Sequence, residues 1–142
     1  MEKKDMSNTV TKVFPAKLER LDEVLAFAEE RMDECGFSMK TAMQVSLALE
    51  EAFVNVANYA YSDGEGEAEL TTVADAGTLT FILSDSGMYF DPTAKDDPDI
   101  TLPAEEREIG GLGILMVKKI MDEVDYVYEN GRNILTMKKN IC

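Results

Sequence analysis

The sequence predicts an α+β fold, a two-layer sandwich with three helices stacked on one face of a mixed, mostly antiparallel sheet. Asn130-Gly131 between two alternating runs is a hairpin signal, and Asp75-Ala-Gly77 joins another pair of strands. Three stretches carry helical periodicity instead, and the order β-α-α-β-β-loop-α-β-β shows neither internal repeat nor linker. At 142 residues the whole chain, 1–142, is expected to form one domain, large enough to bury about 68% of its unfolded surface.

Thr9 to Phe14 alternates and is β-branched, which predicts a first strand that Pro15 ends. From Lys17 to Cys35, Leu18, Leu21, Leu25, Ala28 and Met32 trace one apolar helix face, and Gly36 is the stop. Ser38 offers an N-cap to a long helix reaching Tyr61. Along it Gln44, Glu51, Asn55, Asn58 or Tyr59, and Ser62 fall near one line. Met43, Val45, Leu47, Leu49, Phe53, Val54, Val56 and Ala60 cover most of the rest and are expected to be buried. A polar line between two apolar sides must face water or a guest.

Ser62-Asp-Gly-Glu-Gly66 breaks that helix, and strands are expected over Ala68 to Val73 and Thr78 to Ser84. Thr93 to Ile109 has no periodicity, is rich in acidic residues, and has Pro92, Pro98 and Pro103 in or beside it. A loop of that length inside a compact domain is usually functional or disordered. Gly110-Gly111-Leu112-Gly113 opens a helix over Ile114 to Asp122, and the strands Glu123 to Glu129 and Asn133 to Lys138 close the chain.

The formal charge of −14 repels nucleic acid and anionic membrane, so neither is expected as a direct partner. No apolar run approaches the length of a membrane span. MEKKDMSNTV lacks the apolar core of a signal peptide, which predicts a cytoplasmic protein. Cys35 and Cys142 read as free thiols. The absence of histidine excludes histidine bases, histidine metal ligands and phosphohistidine chemistry.

Three segments can carry chemistry. The glycine run at 110–113 lets backbone N–H groups approach an anion at the positive end of a helix dipole; the bland reading is a tight turn. It is not a Walker loop, since no Gly-Lys-Ser/Thr follows, nor a dinucleotide fingerprint. Asp85, at a strand end two residues before Gly87, can accept a hydrogen bond from a ligand amine, or can simply form the turn. Asn55 offers a neutral oxygen suited to Mg2+, and Glu51, one turn earlier, could act as general base toward a hydroxyl attacking a terminal phosphate. All three describe parts of one nucleotide site.

In order, Glu51-x-x-x-Asn55, Asp85-x-Gly87-x-x-Phe90-Asp91-Pro92 and Gly110-Gly111-Leu112-Gly113-Ile114 resemble the N box and the two glycine boxes of the GHKL ATPase superfamily. The set looks most like the single-domain anti-sigma factor serine/threonine kinases, whose domain is the Bergerat, or histidine kinase-like ATPase, fold. The match spans about residues 9 to 139. The resemblance implies Asn55 as the Mg2+ ligand, Glu51 as catalytic base and Asp85 as reader of the adenine amine, with Gly87 giving the base room. It further implies that 93–109 is the ATP lid, that Gly111 and Gly113 wrap the phosphates with Gly110, Leu112 and Phe90 beside the nucleotide, and that Arg107 reaches the terminal phosphate.

Two positions depart from the family. Tyr59 stands where many of these kinases carry histidine, and Arg132 where relatives often place a threonine near the adenine. The expectation is therefore a Mg-ATP-dependent serine/threonine kinase that phosphorylates an anti-anti-sigma partner and sequesters a sigma factor. The alternatives are a nucleotide-gated binding module of the same fold without kinase activity, and a purely structural interaction domain. Homodimers are common among the resembling kinases, and no sequence feature decides that point.

Overall fold

The computed structural model describes residues 9–61, 66–75, 77–89 and 111–141, with backbone alone over 111–115. Strand β1 (Thr9–Pro15) leads through a 3-10 turn (Leu18–Arg20) into α1 (Leu21–Cys35) and α2 (Met39–Tyr59). Strands β2 (Glu67–Asp75) and β3 (Thr78–Asp85) follow, then α3 (Gly111–Ile120), β4 (Glu123–Glu129) and β5 (Arg132–Asn140). The sheet order is β1-β2-β3-β5-β4, and among the described residues every pairing is antiparallel. The fold is α+β, with the helices on one face of a five-stranded sheet. The expected lid over 93–109 lies outside the described residues.

Local chemistry sets the element ends. Gly36 takes φ 86° and closes α1 in a left-handed cap that L side chains rarely adopt. Two residues on, Ser38 Oγ accepts from Thr41 N at 3.1 Å and starts α2. Asn130 (φ 55°) and Gly131 (φ 76°) supply the two left-handed residues of a tight hairpin turn. Lys139 Nζ donates to Ile120 O at 2.7 Å, satisfying a carbonyl at the end of α3.

The core lies between the layers. Leu70, Leu79, Phe81, Leu83, Leu135 and Met137 project from the sheet onto Val24, Met32, Val45, Leu49, Phe53 and Val117. Two expectations about helix faces are corrected. Leu18 is exposed, and the buried face of α1 centres on Val24, Phe27, Ala28 and Met32. On α2, Met43 (67% exposed) and Leu47 (44%) lie on the solvent side with Met39, while Ala48 and Ala52 are buried. Ala48 and Ala52 share the buried side of α2 with Val45, Leu49 and Phe53.

One buried polar contact ties the layers together. Arg31 on α1 donates from Nε to Thr72 Oγ1 of β2 at 2.8 Å and from Nη1 to Glu34, and Thr72 Oγ1 reaches Val10 O at 3.4 Å. Both Arg31 and Thr72 are buried. An ionised group can sit there because its hydrogen-bonding capacity is met.

Candidate functional site

Where α2 ends above β3 and β5, the described residues line a small hollow that is partly open to solvent. Ala52, Asn55, Val56 and Ala60 line it from the helix, Asp85 and Met88 from the end of β3, and Tyr126, Asn133 and Leu135 from the last hairpin. Its walls are mostly apolar with a few convergent polar groups, which is the character of a small-molecule site.

Asn55 is 8% exposed, and no hydrogen bond joins its side chain to another described residue. No buried side-chain polar atom in the described residues lacks a partner, so the amide is presented to the hollow and not sealed in the core. Asp85 is also buried. Its Oδ1 accepts from Gly87 N at 2.9 Å and from Asn133 Nδ2 at 3.0 Å, whereas Oδ2 has no described partner. The structure thus brings Asn55 and Asp85, separated by thirty residues of sequence, to one cavity with an amide and a carboxylate oxygen unused.

Glu51 sits one turn before Asn55, half-buried and outside the described wall of the hollow. Gly111, Leu112 and Gly113 form the first turn of α3, which packs against α2. Phe90, Arg107 and Gly110 lie outside the described residues.

At Gly87 the backbone shows a close approach to α2. A Cβ there would stand 2.1 Å from Ala60 O, and the next residue, Met88, donates its N–H to that same carbonyl at 2.7 Å. Only glycine fits such a contact, and the contact holds the turn after Asp85 against the helix that carries Asn55.

Three participants were not singled out from sequence. Tyr61 donates its hydroxyl proton to Glu67 O at 2.6 Å and accepts from Ser86 N at 3.0 Å, pinning the residues after α2 to the start of β2 and to the Asp85 turn. Asn133 lies opposite Asp85 in the β3–β5 register. Tyr126 donates to Asn133 Oδ1. Arg132, the residue set against the family's threonine position, is on the other face of the sheet, where it donates to Ser84 Oγ at 2.9 Å and lies 3.5 Å from Glu69. The neighbouring residue of β5 that lines the hollow is Asn133. Its phase with the buried Leu135 and Met137 was the available signal, since a polar residue in step with apolar ones points inward.

Known proteins share this architecture. The serine-protein kinase RsbW of Bacillus cereus (strain AH820) is 26% identical over 128 residues, covering 87% of this chain and 80% of its own. RsbW of Bacillus thuringiensis (strain Al Hakam) matches with the same identity and coverage. Among solved structures, the RsbU and RsbW domains of Rv1364c from Mycobacterium tuberculosis superpose with a TM-score of 0.64 at 17% identity, covering 94% of this chain. This chain spans 32% of that longer one. The histidine kinase AdeS of Acinetobacter baumannii superposes with a TM-score of 0.53 at 12% identity, covering 92% of this chain and 68% of its own. These two likenesses concern the fold. The model of the histidine kinase-like ATPase domain matches residues 14–139, nearly the full length, and the chain therefore belongs to the histidine kinase-like ATPase domain family.

Proposed function

We propose that the protein is a cytoplasmic anti-sigma factor with serine/threonine kinase activity. It binds Mg-ATP, phosphorylates an anti-anti-sigma protein and, when that partner is scarce in its unphosphorylated form, sequesters a sigma factor. The observation that carries the reading is the convergence of Asn55 and Asp85, each with an unused polar atom, on one hollow. Similarity to serine-protein kinases RsbW supports the reaction class.

The residues fit the group they would hold. Among the described residues no cluster of three or more acidic or thiol side chains could cage a metal. Mg2+ does not require one, because it keeps several waters and takes its remaining ligands from phosphates and one or two protein oxygens. Asn55 offers such an oxygen. Asp85 Oδ2 accepts a hydrogen bond from the base amine, and the first-turn amides of α3 from Gly111 to Gly113 counter phosphate charge. Bound Mg-ATP supplies the phosphoryl group. Glu51 takes the proton of the acceptor hydroxyl. Arg107, Gly110, Leu112 and Phe90 complete the nucleotide's surroundings in this reading, with 93–109 as the lid, all within one catalytic unit.

Purified protein given Mg-ATP and its candidate partner should yield a phosphoprotein, and Glu51→Ala should cut transfer by about 100-fold or more while ATP affinity stays within about threefold. Normal transfer by Glu51→Ala removes Glu51 as base. The position of Glu51 outside the described wall favours a second reading, a nucleotide-gated binding module that exchanges partners without phosphorylating them. ATP binding by calorimetry with no mass increase on the partner would establish that reading instead.

A further inference from the structure

Asp85 does not hold its own orientation. A carboxylate on a short side chain can rotate, and which oxygen it presents depends on what holds the other. Gly87 N and Asn133 Nδ2 both donate to Oδ1, at 2.9 and 3.0 Å, which leaves Oδ2 as the oxygen without a described partner. The second proton of Asn133 Nδ2 goes to Met88 O at 2.9 Å. Both amide protons are therefore committed, and Oδ1 of Asn133 accepts from the Tyr126 hydroxyl.

This network has one self-consistent assignment. Were the Asn133 amide rotated by half a turn, its oxygen would face Asp85 Oδ1 and Met88 O, two acceptors against an acceptor. The hydroxyl of Tyr126 is the donor that rewards the observed orientation. Tyr126 is held in turn by its place in β4, opposite Leu135, and by an edge-on contact with Tyr89 at 6.1 Å between ring centroids. All three polar residues line the same hollow as Asn55.

We infer that Tyr126 and Asn133 act as positioning residues, a relay that holds Oδ1 of Asp85 and so orients its second oxygen toward the ring edge of the bound base, setting selectivity for a 6-amino over a 6-oxo purine. The inference rests on the nucleotide-binding reading above and adds to it the residues that decide which base is taken. A ring amine finds an oriented lone pair at Oδ2. A ring carbonyl finds the same lone pair and is repelled, and it gains nothing from the relay.

The experiment is calorimetric titration of the full chain with Mg-ATP and with Mg-ITP, whose base carries oxygen in place of the amine. Wild type should prefer ATP by at least about tenfold. Tyr126→Phe keeps the ring contacts and removes only the hydroxyl. It should shrink the ATP-to-ITP ratio by about three- to tenfold through weaker ATP binding, with ITP affinity within about twofold of wild type. Asn133→Ala should shrink the ratio at least as much; if that variant does not fold, Tyr126→Phe decides alone. A parallel loss for both nucleotides would assign the pair a merely structural role and overturn the relay, as would an unchanged ratio. Wild-type protein that binds ATP and ITP equally removes the selectivity while leaving nucleotide binding intact, and protein that binds neither removes both.

Discussion

Two buried polar clusters lie between the helices and the sheet, and only one of them has valence to spare. Around Arg31, the guanidinium is matched by Thr72 and Glu34, and Thr72 also reaches Val10 O. Around Asp85, the carboxylate keeps one oxygen unpaired among the described residues, and the amide of Asn55 stands across the hollow equally unpaired. Both clusters have the burial of a core. A buried polar group whose partners are complete serves the fold, whereas one left incomplete beside a cavity has capacity left for a guest.

That contrast yields opposite signatures for mutation. Asn55→Ala should lower Mg-ATP affinity by about 100-fold, yet shift unfolding free energy by less than about 1 kcal/mol in urea titration, because no described hydrogen bond is lost. Arg31→Met should do the reverse, costing about 2–3 kcal/mol of stability with ATP affinity within about twofold, since Thr72 loses its donor and the packing of α1 on β2 is disturbed. If Asn55→Ala proves as destabilising as Arg31→Met, the division between the clusters fails.

A smaller effect reports on the structural cluster from the side. Burial pushes the Cys35 thiol above its ordinary 9.0, the nearby Arg31 pulls it back in part, and Glu34 adds to the rise. The folded state therefore favours the protonated thiol. That contribution to stability is complete below pH 9.0 and declines as pH climbs through the folded value. In a Cys142→Ser background, alkylation of Cys35 at pH 8 should run several-fold slower than that of an unstructured peptide thiol, and slower again once Arg31→Met removes the opposing cation. An unchanged rate in Arg31→Met would mean that the guanidinium is not sensed at the sulfur.

Most of the architecture was readable because it is written in local chemistry. Ser38, Gly36 and Asn130-Gly131 each act through their own backbone or that of a residue three away, and the strands alternate over short runs. Asn55 and Asp85 could be named from spacing and from the ordered boxes around them. What escaped depends on pairings between distant segments. Arg132 and Asn133 differ by one position, yet a shift of one residue exchanges the two faces of a strand, and only the pairing of β5 with Asp85 decides which faces the hollow. Arg31 meets Thr72 across 41 positions, and no periodicity in α1 announces a charged residue on its buried side. Met43 and Leu47 misled in the other direction, because apolar character alone does not say which flank of a helix its neighbours cover.

The hydroxyl of Tyr61 has a mechanical consequence. A single oxygen serves the residues just past one helix, the first peptide of a strand and the turn that carries the Asp85 carboxylate. It works as a rivet beside the Met88 N–H to Ala60 O contact, and the two together tie the end of α2 to the turn after β3. Removing that one atom with Tyr61→Phe would leave the turn tied to the helix end by the Met88 N–H alone, and the strand start untied from both.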